Sequence, residues 1–230
     1  MLGCLEALFN AAQTFYTDVV TRPIFVDRNI HQQSMQQRDV SNPPPAYTEV
    51  VDASPSTVGN EGNPRTGLLA PNNAGHSPVH AAATSGSVDI LEMLFNNGGD
   101  LSALAAKNET PLYFAVNNNR LEAARFILKH GGDFSTPTVD GMTPLYAASC
   151  NGYTDLVRLL LERGADCNRA TGSGWTPINA ASRGGHFDVV QLLLQHGADP
   201  SIREATGQTA LYSACIGGHR DIVKLLMEHE

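Results

Sequence analysis

The chain has 230 residues, which is enough for one large domain or for one domain with a tail. Apolar residues make up 42% of the sequence, so a sizeable core can form, and a collagen-like or wholly disordered chain is excluded. With 15 Lys and Arg against 23 Asp and Glu, the formal charge is -8, which disfavours binding to nucleic acid and to anionic lipid.

Cysteine spacing and apolar runs favour an intracellular chain. The four cysteines, Cys4, Cys150, Cys167 and Cys215, form no C-x-x-C pair and are too few for a stapled secreted domain, so we expect them to be reduced. The first arginine is Arg22, so the N-terminus lacks the basic region of a secretory signal. No apolar stretch approaches the roughly 18 residues of a spanning helix. We predict a cytoplasmic location, with the nucleus as the alternative.

Residues 1–28 are predicted to hold a short amphipathic helical segment. Apolar residues recur there at three- and four-residue steps: Leu2, Leu5, Leu8, Phe9, Ala12, Phe15, Tyr16, Val19 and Val20. Glu6 and Asp18 are the only charges on the polar face, which therefore lacks the Lys and Arg that draw helices to anionic bilayers. We expect this helix to pack on the folded domain or on a protein partner. Acylation of Cys4, the alternative, would attach it to a membrane.

Residues 29–73 are rich in Gln, Asn, Pro, Ser and Gly, and are predicted to be disordered because they cannot bury enough apolar area. Within them, Pro44-Pro45-Ala46-Tyr47 resembles the P-P-x-Y ligand of WW domains. A polyproline II turn fits between aromatic rings, and Tyr47 would enter a neighbouring pocket. The resemblance implies recruitment by WW-containing HECT ubiquitin ligases. A chance occurrence in a Pro-rich tail is the alternative.

From residue 74 onward the sequence repeats with a period of 33 residues. A four-residue motif of the form Thr-Pro-Leu-Tyr begins at Ser77, Thr110, Thr143, Thr176 and Thr209. An alanine lies five residues after each start, and a glycine, or Asn119 in the second repeat, lies nine after. Self-similarity at a fixed period is typical of stacked architectures. The predicted repeats are 74–106, 107–139, 140–172, 173–205 and 206–230.

The period and the motif resemble the ankyrin repeat, most plainly in 141–148 followed by 159–166. The resemblance implies an all-α solenoid of stacked helix-turn-helix units with β-hairpin fingers. Threonine before proline suits the start of a helix, and the glycine column suits a left-handed turn after it. Two departures are mild: His80 alone carries the motif histidine, and Ala210 replaces proline. Asn117, Asn118 and Asn119 predict some local instability in the second repeat.

The sequence ends at Glu230, where a fifth helix-ending glycine would stand, so the last apolar rows are expected to be partly uncovered. Three explanations remain open: a partner covers this end, the chain is a fragment of a longer array, or the end frays. A related alternative is that the stack is the regulatory part of a larger enzyme or channel.

Catalytic motifs are not found in the sequence: H-E-x-x-H, G-x-S-x-G and the P-loop pattern are all missing. His186, His196 and His219 occupy turn columns of the repeat, and the repeat cysteines are interpreted as small structural residues rather than nucleophiles. We therefore predict a non-enzymatic protein that uses no cofactor and no catalytic metal.

The ankyrin resemblance implies that a partner lies against the finger tips and the inner helices. The tip column is predicted to contain Glu109, Met142, Trp175 and Gln208, and the ends of the inner helices Asn118, Asn151, Arg183 and Ile216. Trp175 is the only tryptophan, and aromatic anchors are enriched among binding hot spots. The alternative is that Trp175 folds back onto its own hairpin. We expect a monomer that binds an unidentified protein partner.

Overall fold

A computed structural model of the chain describes residues 69–229. This range contains ten helices in five consecutive pairs and no β-strand, which confirms the all-α prediction. The predicted helical segment in 1–28, the linker up to residue 68 and Glu230 lie outside the described residues. The helices are α1 Pro78–Ser85, α2 Val88–Asn96, α3 Pro111–Asn117, α4 Leu121–Lys129, α5 Pro144–Cys150, α6 Thr154–Glu162, α7 Pro177–Gly184, α8 Phe187–Gln195, α9 Ala210–Gly217 and α10 Arg220–Met227.

The first helix of each pair begins and ends where the motif predicts. Thr110 Oγ1 accepts a hydrogen bond from the Tyr113 backbone N–H at 3.1 Å, and the three later threonines do the same three residues on. Proline fits the next position because its missing N–H would have no helical partner. The helix is followed by a left-handed residue, Gly86 at φ 82° in the first pair and Asn119 at φ 55° in the second. Asparagine is among the few non-glycine residues that tolerate this conformation.

Successive pairs share one continuous core. Each first helix packs on the first helix of the next pair, and each second helix packs on the next second helix. Small residues allow the first helices to approach closely, since Ala82, Ala115, Ala148, Ala181 and Ala214 are all buried. Leu91, Ala124, Val157 and Val190 fill the same buried position in successive second helices. One pair alone would leave these faces exposed to water, so the stack is the folding unit.

The fingers between pairs are single tight turns. In the second finger the Ala105 N–H donates to the Glu109 carbonyl at 3.0 Å, which closes a turn too short to count as a strand. Adjacent fingers are joined by backbone hydrogen bonds, for example from the Val139 N–H to the Lys107 carbonyl at 3.0 Å. The first finger already begins at Asn72, whose N–H donates to the His76 carbonyl, so the predicted boundary at residue 74 falls inside this finger.

A side chain at the start of three second helices links neighbouring pairs. The His186 Nε2 donates to the Cys150 carbonyl at 3.1 Å, and the His219 Nε2 donates to the Arg183 carbonyl at 3.0 Å. Arg120 makes the equivalent bond to the Thr84 carbonyl. We call these bonds the inter-pair links. Each satisfies a carbonyl in the last turn of a helix, where no intrahelical donor is left.

Two glycines leave room for the His186 ring. A Cβ at Gly152 would lie 2.4 Å from His186 Nδ1, and a Cβ at Gly184 would lie 2.5 Å from His186 Nε2. The third pair lacks the link: Tyr153 occupies the column of His186, and within residues 69–229 its side chain makes no such hydrogen bond. In the second pair, Asn119 takes the position that Gly152 has in the third pair, and it is the non-glycine residue of this column. Tyr153 directly follows Gly152.

Replacing His186 should show what an inter-pair link contributes. We expect His186→Ala to lower the free energy of unfolding by about 1 kcal/mol, because the Cys150 carbonyl loses its donor. His186→Arg should keep most of the stability, since Arg120 makes the same bond in the second pair. Urea denaturation of the three proteins measures both effects. Equal stability of the alanine and arginine variants would contradict this role.

Candidate functional site

The residues that close the fingers lie beside the first helices and form one surface with them. We call this the finger–helix surface. It comprises the finger residues Glu109, Met142, Trp175 and Gln208 and the helix residues Tyr113, Tyr146, Arg183, Tyr212 and Ile216. Each finger residue accepts the hydrogen bond that closes its turn, and each is half-buried. The prediction that these four residues form the finger tips is therefore wrong. They lie at the base, because a turn of this length closes on its last residue.

Trp175 and Arg183 are in contact. Helical side chains point back toward the helix N-terminus, so Arg183 in the last turn of α7 reaches over the finger that precedes this helix. Its guanidinium Cζ lies 5.4 Å from the centroid of the Trp175 ring, within cation–π range. The Trp175 ring is half-buried against Arg183, so it is intermediate between a freely projecting ring and one folded fully into its hairpin. The structure thus brings together two residues that were predicted separately.

Met142 meets Tyr113 on the same surface. The Tyr113 hydroxyl donates to the Met142 Sδ at 3.9 Å, a weak contact between neighbouring pairs. Burial, and then the charges of Glu109 and Asp140, raise the pKa of Tyr113 to about 12. Burial also raises the pKa of Tyr146. Both phenols therefore keep their protons at neutral pH and can serve as hydrogen-bond donors.

Asn118 and Asn151, predicted as binding residues, use their amide donors within their own helices. Asn118 Nδ2 donates to the Phe114 carbonyl and Asn151 Nδ2 donates to the Ala147 carbonyl, each at 2.8 Å. Each of these carbonyls also accepts the backbone N–H of the same asparagine, so the side-chain bond adds a second donor at the end of the helix. Their side-chain oxygens are the atoms left for a partner. The structure gives both residues a structural role at the end of a helix.

Ile216 and Gln208 lie in the fifth pair. Ile216 is 49% exposed, and Tyr212, one turn earlier on α9, is 51% exposed, so the two form an open apolar step. Gln208 is half-buried at the base of its finger, where its backbone N–H donates to Glu204 Oε1 at 3.0 Å. The fifth pair therefore contributes apolar side chains to the surface next to the Trp175–Arg183 contact.

The tyrosines were not predicted as site residues. They occupy the fourth motif position, where His80 Nε2 bonds the Glu109 carbonyl at 3.2 Å and Asn179 Nδ2 bonds the Ile202 carbonyl at 3.4 Å. Histidine and asparagine at this position are buried and join neighbouring pairs. A tyrosine is longer, so Tyr113 reaches the finger residue Met142 of the next pair. The recurrence of tyrosine at the fourth motif position is the sequence pattern from which these site residues could have been predicted.

Cys150 is an exposed free cysteine that interacts with the charge of Arg183. Burial raises the pKa of the Cys150 thiol while Arg183 lowers it less, so this thiol stays protonated and is a poor nucleophile. No group of three His, Cys, Asp or Glu side chains in residues 69–229 could hold a metal ion. In the same range, every helix is too short or too polar to cross a bilayer.

The raised pKa of Tyr113 predicts a loss of stability at alkaline pH. An unfolded tyrosine titrates near pH 10, so between about pH 10 and about pH 12 the unfolded state releases the proton first. The free energy of unfolding should therefore fall as the pH rises through this window. Tyr113→Phe should flatten that slope, with Tyr212→Phe as the control at an exposed position. Chemical denaturation at several pH values measures the slope, and an unchanged slope in Tyr113→Phe would contradict the burial of a neutral phenol.

Comparison with known protein families matches ankyrin repeats (3 copies) over residues 79–171 and 169–230, which is more than half of the chain. A search of the curated proteins returned no match. Ankyrin repeats generally mediate protein–protein interaction and are typically non-enzymatic. The capped first helices, the paired second helices and the linked fingers agree with this match, and the chain belongs to the ankyrin repeat family.

Proposed function

We propose that this protein is a non-enzymatic scaffold that binds a protein partner through the finger–helix surface, which corresponds to the concave surface of ankyrin stacks. The observation that carries the proposal is the contact between Trp175 and Arg183. Neither side chain belongs to the buried core that holds the pairs together. Trp and Arg are the residue types most enriched in binding hot spots.

The rigidity of the surface supports this function. Arg183 lies in a helix that packs on both neighbouring first helices, and Trp175 closes a finger that is hydrogen-bonded to the next finger. Side chains held in this way lose little conformational entropy when a partner binds. Met142 on one side and Ile216 on the other supply apolar area around the contact.

Trp175→Ala tests the role of the surface. We expect this substitution to weaken binding of an affinity-captured partner by roughly 2 kcal/mol, the cost of losing a hot-spot aromatic, with little change in melting temperature. Phe187→Ala removes an exposed aromatic from a second helix and is the matched control. A deletion of residues 1–68 leaves every described helix in place and separates partners of the tail from partners of the stack. Equal binding of Trp175→Ala and the intact chain would refute the proposal.

A second proposed function is that of an adaptor for WW-domain ubiquitin ligases. It is supported by the sequence Pro44-Pro45-Ala46-Tyr47, which lies outside the described residues. The tail would bind the ligase while the stack holds the cargo. Both activities can coexist in one chain, because they use different segments.

Tyr47→Ala tests this adaptor role. We expect it to abolish binding to isolated WW domains, because the tyrosine fills one of the two pockets that read the motif. Thr48→Ala, a change of the adjacent residue outside the motif, should bind like the intact chain. Fluorescence titration gives the dissociation constants, and a value unaffected by Tyr47→Ala would exclude the adaptor role.

Cytoplasmic location, a monomeric state and acylation of Cys4 stay predictions of the sequence. So does the alternative that the stack is the regulatory part of a larger polypeptide.

A further inference from the structure

Arg183 carries an exposed charge that no carboxylate of the described residues pairs with directly. The single salt bridge within residues 69–229 joins Arg125 to Glu122 on α4. The guanidinium of Arg183 instead lies over the Trp175 ring. Stacking on an aromatic ring uses the flat face of a guanidinium and leaves its N–H groups, which lie in the plane, free to bind an acceptor.

Glu204, an acidic side chain that interacts with the charge of Arg183, is occupied elsewhere. Its carboxylate accepts hydrogen bonds from the Thr206 backbone N–H and the Gln208 backbone N–H, each at 3.0 Å, and from the Thr206 hydroxyl. Glu204 is only 6% exposed, so it closes the fifth finger and does not reach out to the guanidinium. It holds Arg183 by charge attraction at longer range and leaves the donors of Arg183 open.

An apolar step lies one pair beyond Arg183. Ile216 occupies the same column as Arg183 on the next first helix, and Tyr212 lies one turn before it. Packed helices are about 10 Å apart, and a polyproline II chain advances about 3.1 Å per residue with about three residues per turn. A peptide in this conformation that runs along the stack therefore covers the distance from Arg183 to Ile216 in about three residues, and its side chains at these two positions point to the same side.

Building on the proposed function, we infer that the partner presents a carboxylate side chain to Arg183 and an apolar side chain, three residues away in a polyproline II segment, to Tyr212 and Ile216. The carboxylate accepts two parallel hydrogen bonds from the guanidinium, and Trp175 fixes the orientation of that guanidinium. The apolar side chain covers the exposed step on α9. Arg183 thereby selects acidic segments. The distance between neighbouring pairs sets the spacing between the acidic and the apolar side chain of the partner.

Local charge favours a carboxylate over a phosphate. A single guanidinium balances a single negative charge, whereas Glu204 adds negative potential beside it. A phosphate group carries nearly two negative charges at neutral pH and would be repelled more strongly by this carboxylate.

The test is a selection of short random peptides on the intact chain, followed by titration of the enriched peptides. Each is synthesised with glutamate, with glutamine and with phosphoserine at the acidic position. We expect the glutamate peptides to bind roughly tenfold more tightly than their glutamine counterparts, as one charge-assisted hydrogen-bonded contact implies. Added salt should reduce this advantage. Arg183→Gln should abolish it, and Arg183→Lys should keep part of it.

Arg125→Gln, which removes an exposed arginine from a second helix, is the matched control and should keep the preference. Thermal melting of each variant checks that the stack is folded. The inference is overturned if no peptide is enriched, if glutamate and glutamine peptides bind equally, if phosphoserine binds more tightly than glutamate, or if Arg183→Gln keeps the preference.

Failure of this inference and failure of the proposed function give different results. Suppose that peptides no longer bind Trp175→Ala but show no preference for glutamate over glutamine. The inferred carboxylate contact with Arg183 would then be refuted, while the scaffold role would remain. Peptides that bind Trp175→Ala and Tyr212→Ala as tightly as the intact chain would show that the finger–helix surface is not the binding surface, and both would fail.

Discussion

The apolar face that each helix pair offers to the next is the constraint on which this structure depends. Leucine, isoleucine and valine side chains of the second helices are buried only because another pair covers them. The alanine column of the first helices is what lets the pairs approach closely. Stability in such a stack is a sum of terms between neighbours, so each contact across a junction affects the whole array.

The bonds across these junctions follow the same logic. Backbone hydrogen bonds join the fingers. Side-chain hydrogen bonds from Arg120, His186 and His219 join the helices of neighbouring pairs. His80 and Asn179 join the first helix of one pair to the next finger. The stack is therefore held together by buried residues and by residues at the junctions between pairs. Trp175 and Arg183 of the finger–helix surface lie outside the buried core. In this chain the surface places one tryptophan, one arginine and several tyrosines beside each other.

Much of the fold could be predicted from the sequence because it is set by local patterns that recur. The threonine caps, the left-handed glycines and Asn119 follow from backbone chemistry at single positions. The site was less predictable. The contact of Arg183 with Trp175 depends on the direction of a long side chain, and the link from His186 to Cys150 spans 36 residues, so neither is visible in local spacing. The finger residues were placed at the tip because their order along the chain does not show where a turn closes.

Tyr153 breaks the series of inter-pair links, and this gap bears on how the array comes apart. The missing bond is worth about 1 kcal/mol. In a linear array the weakest junction divides the cooperative units. We expect α1 to α4 to open together as one block while α5 to α10 stay closed. Trp175 and Arg183 lie in the block that stays closed, so recognition would persist in a molecule that has lost its first two pairs.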